Sequence, residues 1–249
     1  MKRVLISLSI LCILAGVAAA DPIDLPLKWS QTPWDPHGSA VYSDHTAPSS
    51  PSYPNQVSAD DFVCDSRDPV VAVRWWGLYV NPIPPHPPAG GHVQFDISFH
   101  LSTGQHPTSL PADDPIVLYP VMAQEVEVGT SGGWTVYRYD AYLPEDFDQW
   151  FWSHVEAASA GANIGELFID ICRPSGEGWA WCSVLKDDPS VPIGDWCAAT
   201  LDGTGHVGPW TSLAGSDLAF ELMTVPEPAT MCLVALGLAG LVAKRKRRP

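Results

Sequence analysis

The chain has 249 residues, 46% of them hydrophobic, with 28 Asp and Glu against 13 Lys and Arg and a net charge of −15. Seven of the basic residues fall in the first three positions and in 244–248, and Glu227 lies in the C-terminal segment, so residues 21–224 carry 6 basic and 27 acidic residues, a charge of −21. Such a body is excluded from binding nucleic acid or an anionic membrane surface, and it suits an aqueous space outside the cell.

Lys2 and Arg3 precede an apolar run, Val4 to Val17, that stops at Ala18-Ala19-Ala20. This is the anatomy of a secretory signal peptide cleaved after Ala20, leaving Asp21 as the first mature residue. The body then runs from 21 to 224, long enough to bury one sizeable core. Residues 21–57 are rich in Pro, Ser and Asp and predict irregular chain wrapped around that core.

Strand patterns follow. Val70 to Val80 is apolar on both faces except at Arg74, as in a central strand. In His92 to Leu101, Val93, Phe95, Ile97, Phe99 and Leu101 alternate with polar residues, which predicts one buried and one wet face. WTVYRYDAYL, WFWSHVEA, ELFIDIC, GWAWCSV and DLAFELMT read as further strands from their aromatic and β-branched content, with a short helical turn at 154–163. Between them lie NPIPPHPPAGG, PADDP, GTSGG, KDDPSVP and LDGTGHVGP, all turn chemistry. Short strands, Pro- and Gly-rich turns and no βα alternation predict an all-β fold, a jelly-roll-like β-sandwich.

The cysteines agree with export. Cys12 and Cys232 belong to the two terminal segments, leaving Cys64, Cys172, Cys182 and Cys197 as candidates for two disulfides in any of three pairings. No pair has C-x-x-C spacing, so zinc is not expected.

Catalytic patterns are few. There is no H-E-x-x-H, no G-x-S-x-G and no phosphate-binding Gly loop. His92 and His100 share a strand face, but at about 3.4 Å per residue they are roughly 27 Å apart and cannot share a metal. No catalytic residue and no cofactor are expected, although a glycan-active enzyme with two facing carboxylates stays as a minor alternative. Calcium has weak support at Asp60-Asp61 and at Asp202 to Gly205, neither of which has the spaced D-x-D-x-D-G pattern; a turn or strand-entry role for Asp60 is the favoured reading. Of the eleven tryptophans, Trp34, Trp196 and Trp210 sit in polar, loop-like surroundings and are the candidates for stacking on sugar rings, as in a carbohydrate-binding module. Trp75 and Trp76 should point to opposite faces of their strand, whereas Trp179 and Trp181 should share one.

The C-terminal segment, 225–249, has three parts in order. Pro226-Glu227-Pro228 forbids helix; Ala229 to Ala243 is uncharged; Lys244, Arg245, Lys246, Arg247 and Arg248 resist translocation. Fifteen helical residues span about 22 Å, short of the roughly 30 Å hydrocarbon core, so this is a short transmembrane helix and a marginal anchor. The segment closely resembles the PEP-CTERM sorting signal. That resemblance implies cleavage by an exosortase, an inner-membrane intermediate and delivery to the cell surface or extracellular matrix. Lys28, Trp29, Ser30, Gln31, Pro33, Ala59, Asp60, Asp61, Phe62, Trp75, Trp76, Gly77, Asp217, Leu218, Ala219 and Phe220 further resemble an uncharacterised extracytoplasmic β-sandwich domain that precedes such tails. Together these imply an exported structural or adhesive protein, with exopolysaccharide as a candidate partner.

Overall fold

The structure is a computed structural model that describes residues 25–33, 40–44, 56–80, 91–103, 107, 115–174, 178–185, 198–201, 210–212 and 216–225. Residues 1–24, the segment after 225, Trp34, Trp196, Cys197 and Asp202 to Gly205 lie outside them. Among the described residues no helix is long and apolar enough to cross a membrane.

The described chain is mostly antiparallel strand. β1 (Leu27–Gln31), β2 (Ala40–Tyr42), β3 (Gln56–Val63), β4 (Val70–Tyr79), β5 (His92–Leu101), β6 (Val117–Ser131) and β7 (Trp134–Phe147) precede a short helical segment, and β8 (Glu166–Cys172), β9 (Trp179–Leu185), β10 (Ala198–Leu201), β11 (Trp210–Ser212), β12 (Ser216–Leu218) and β13 (Phe220–Met223) follow it. One hydrogen-bonded path runs β1-β13-β4-β7-β6-β5-β8-β3-β10-β11, and β9 pairs with β4, β2 and β12.

This sheet curls until its halves face each other. β13 and β3 are six steps apart along the path, about 29 Å if the sheet were flat. Yet Phe220 and Phe62 lie ring to ring at 6.3 Å. Phe95 of β5 meets Trp75 of β4 at 5.0 Å. The two margins are joined by backbone. Asp44 exchanges bonds with Gln56 at the start of β3, and Arg173 N–H donates to Ser43. β2 runs into this seam and pairs β9, which pairs β4. Asp44 also caps the entry to β9, its Oδ2 accepting from Gly178 and Trp179 N–H at 2.9 and 3.3 Å.

The concave face holds the main core. Trp75, Phe95, Tyr139 and Trp179 form an edge-to-face and stacked box, each ring fully buried. Each such ring removes roughly 150–250 Å² from water, about 4–6 kcal/mol before conformational entropy is subtracted. Trp75 faces this core while Trp76 packs on the opposite face with Leu78 and Ala180, and Trp179 and Trp181 share the inner face.

Several expectations change. Residues 27–31 and 40–42 are strands rather than irregular chain, and Trp29 enters the core. A bulge between Leu27 and Trp29 turns Lys28 aside. Its ammonium then ties down the β3–β4 loop by donating to the Ser66 and Asp68 carbonyls. QVSADDFV and the whole of β6, neither expected as a strand, are both paired on two sides along at least part of their length. Pro120 is tolerated inside β6 because the ladder to β7 begins only at Gln124. The β6–β7 turn follows its glycines: Gly132 and Gly133 both take positive φ between paired Ser131 and Trp134.

WFWSHVEA is helical, not extended. A π-helical turn, Phe151–Glu156, continues as α-helix, Ala157–Ala160. Asp148 accepts the Phe151 N–H at 3.0 Å as a helix cap, and Gly161 ends the helix at φ 70°. The expected turn at 154–163 lies partly inside this segment.

The disulfide expectation is corrected for the described cysteines. Cys64, Cys172 and Cys182 are free and buried. Cys172 ends β8, Cys182 packs on the outer face beside Leu78, and Cys64 follows β3 with its thiol donating to the Ser66 carbonyl. Burial pushes the Cys172 thiol well above its ordinary range, and the Cys182 thiol to about 12. In native protein at pH 8, iodoacetamide should therefore leave Cys172 and Cys182 unmodified, and denaturant should expose both to full labelling by peptide mass.

Candidate functional site

Three polar clusters interrupt the apolar packing. The first joins β5 to β8. Ser98 and His100 are two residues apart on one face of β5, and register places Asp170 of β8 opposite Ser98. His100 Nε2 lies 2.6 Å from Asp170 Oδ2, and the Ser98 hydroxyl donates to that same oxygen. Ser98 Oγ is also 3.1 Å from His100 Nε2. All three side chains are buried. A serine relay needs Ser and Asp on opposite ring nitrogens. Here both converge on Nε2, which is not that arrangement.

Trp210, on β11, meets His100 edge to face at 6.1 Å. β11 is four strands from β5 along the sheet, about 19 Å if flat. The β10–β11 ribbon must therefore fold back over the outer face of β3 and β8. Trp210 stays partly exposed there. Of the three sequence-selected tryptophans it is the one the structure describes; Trp34 and Trp196 lie outside the described residues.

The second cluster crosses the outer face. Ser30, Glu221, Arg74, Asp140 and Gln124 are in register across β1, β13, β4, β7 and β6. Arg74 bonds Asp140 at 2.6 Å and Glu221 at 3.0 Å, while Arg138 adds a second bond to Asp140 at 2.9 Å. Ser30 donates to Glu221 at 3.0 Å. The third cluster lies inside: Glu125 Oε2 accepts from Tyr79 and Tyr139 at 2.9 and 3.0 Å, and the Arg173 guanidinium sits 4.7 Å over the Tyr79 ring. Burial drives both phenols above their usual range, so they remain protonated donors.

Asp60 and Asp61 are consecutive in β3 and so point to opposite faces. Asp60 pairs with Ile169 and points into the core, where its Oδ2 accepts Leu218 N–H at 2.7 Å. The pair does not pool its oxygens. Among the described residues no group of three His, Cys, Asp or Glu side chains is placed to hold a metal ion. Burial, then the charges of Asp61 and Asp217, raise the Asp60 carboxyl well above its ordinary range. A raised carboxyl stabilises the fold fully below the unfolded value near 3.9 and less as pH climbs through the folded value. Asp60→Asn should flatten this pH dependence and raise the melting temperature at pH 7, checked by melts from pH 4 to 8.

The exposed surface near the helix has its own stack. Trp150 is stacked on His154 at 3.6 Å, and the Arg67 guanidinium lies 4.9 Å from its ring centroid. The indole thus already has two partners.

None of the three clusters is legible in the sequence alone. Alternation put Ser98 and His100 on one face, but strand pairing, which pattern does not reveal, supplied Asp170. Arg74 was the nearest signal: a lone charge in an apolar strand needs partners.

Fold and clusters define a class: an aromatic-cored, curled antiparallel sheet cross-braced by internal ion pairs, ending directly at a sorting tail. The chain belongs to the family described as a domain of unknown function, DUF7901, whose model matches residues 27–222. A second model, the PEP-CTERM protein-sorting motif, matches residues 224–248, which marks an exported protein processed by an exosortase for the cell surface. A search of curated proteins finds no match.

Proposed function

We propose that the protein is a structural or adhesive component of the cell surface or extracellular matrix. In this reading residues 1–20 are a cleaved signal peptide. Ala229 to Ala243 holds an inner-membrane intermediate, with Lys244 to Arg248 as its cytoplasmic stop, until the tail is cut near Pro226-Glu227-Pro228. The curled sheet is read as a jelly-roll-like sandwich. We assign it no catalytic step, cofactor or nucleic-acid partner.

The observation that carries this reading is where the side chains of most chemical interest are engaged. Trp75, Trp179 and Trp181 fill the core, Trp150 is engaged by His154 and Arg67, and the His100, Arg74 and Glu125 clusters brace strands to one another. A body built this way supports a durable, acidic, soluble scaffold.

A carbohydrate-binding role is the second reading, favoured by partly exposed Trp210 on a ribbon folded over the sheet. Titrating purified protein with the exopolysaccharide of its own matrix separates the two. The scaffold reading expects unchanged tryptophan fluorescence in both wild type and Trp210→Ala. Saturable quenching lost in Trp210→Ala would replace it with the binding reading.

A further inference from the structure

The two ends of the described body leave from one corner. Leu27 of β1 pairs with Met223 of β13, and Thr224 N–H donates to the Pro26 carbonyl at 3.0 Å. Only Thr224 and Val225 separate β13 from Pro226, where the sorting motif proper starts. Three steps of extended chain reach at most about 11 Å. The start of the motif is therefore tethered within that distance of the folded sheet.

β13 has no slack to give. It is hydrogen-bonded to β1 on one side and β4 on the other, and Phe220, Leu222 and Met223 are fully buried. An enzyme drawing residues upstream of Thr224 into an extended cleft would have to break both ladders and strip that core. An enzyme that works at the motif must instead meet the corner itself.

The corner is apolar. Leu27, Met223, Ala72 and Tyr142 stand in register across β1, β13, β4 and β7 on the outer face. Leu25 packs with Met223 and Ala72, which are buried, while Leu27, Tyr142 and Val225 remain 54%, 46% and 36% exposed. Next to this row runs the braced Arg74 ladder, which holds the four strands rigid.

We propose that Leu27, Tyr142 and Val225 form a docking surface for the exosortase that processes the tail, so that the enzyme reads the folded body together with the motif. This rests on the exosortase reading of the tail. The occupant follows from chain length: the peptide an exosortase must engage is tethered within two residues of this surface.

The test follows precursor-to-product conversion of the full chain in its own host by pulse labelling. Leu27→Glu/Tyr142→Glu should slow conversion about tenfold, equivalent to roughly 1.4 kcal/mol of lost contact, while its melting temperature stays near wild type. Val128→Glu, at the exposed far end of β6, should convert normally. A six-residue Gly-Ser spacer between Val225 and Pro226 should bring wild type and the double variant to one common rate. Normal conversion of the folded double variant, with Glu227→Ala blocked, overturns the proposal alone. Normal conversion of Glu227→Ala removes the exosortase reading and the proposal with it. A defect that persists unchanged behind the spacer also overturns it, and assigns the corner to the bilayer or a second copy.

Discussion

Gly77→Ala should cost the protein about 3 kcal/mol or more, the upper part of the range for forcing a methyl group into a packed core. Gly77 lies in β4 opposite Tyr137 on β7 and Trp181 on β9. A Cβ built there would sit 2.4–2.5 Å from three atoms of the Trp179 indole. Real Cβ contacts are never that close, so one partner must move. The indole cannot, because it is fully buried and wedged edge-on against Phe95 and Tyr139. The backbone cannot move easily either, since β4 is hydrogen-bonded on both sides at this point. Urea unfolding of Gly77→Ala should show a lowered midpoint with little change in slope. In contrast, Gly77→Ala combined with Trp179→Leu should recover part of the loss, because the smaller side chain vacates the ring's space. An unchanged midpoint in the single variant would mean that Trp179 is not where the structure puts it.

Arg74→Met should be comparably damaging, about 3 kcal/mol, through charge rather than volume. The guanidinium neutralises Asp140 on one strand and Glu221 on another, and both carboxylates are buried. Removing a single partner of a buried ion pair leaves charge uncompensated in a poorly solvating place, which is more costly than removing the whole set. Arg138 still reaches Asp140, so Glu221 is the more exposed to the loss. Arg74→Met/Glu221→Gln should therefore be more stable than Arg74→Met alone. Thermal melts of the two variants at pH 7 check the order, and the reverse order would show that the ladder is not coupled.

How much of this could be read from sequence depended on whether a residue's role was local. β5 was plain because Val93, Phe95, Ile97, Phe99 and Leu101 alternate without interruption. β6 alternates too, with Tyr119, Val121, Ala123 and Glu125 turned inward, but Pro120 hid it; only the late start of the β7 ladder makes that proline acceptable. The segment after Phe147 misled in the other direction. Three aromatic residues in a row resemble a strand, whereas the decisive signals were the cap at Asp148 and the left-handed Gly161. Export and sorting were legible because linear chemistry, charge and apolar length, carries them. The Ser98–His100–Asp170 cluster, the inward turn of Asp60 and the state of the thiols were not, since each depends on which strands become neighbours.

The placement of β13 also sets a clock on biogenesis. It is the last described strand of the body, yet it lies between β1, the first, and β4, at one end of the hydrogen-bonded path. During synthesis β1 has no partner until residue 223 has emerged, by which time almost nothing remains to be made but the tail. Pairings this distant in sequence form slowly. The β1 edge consequently stays unpaired until the body is almost fully synthesised. That edge closes only when the sorting tail is all that remains to follow.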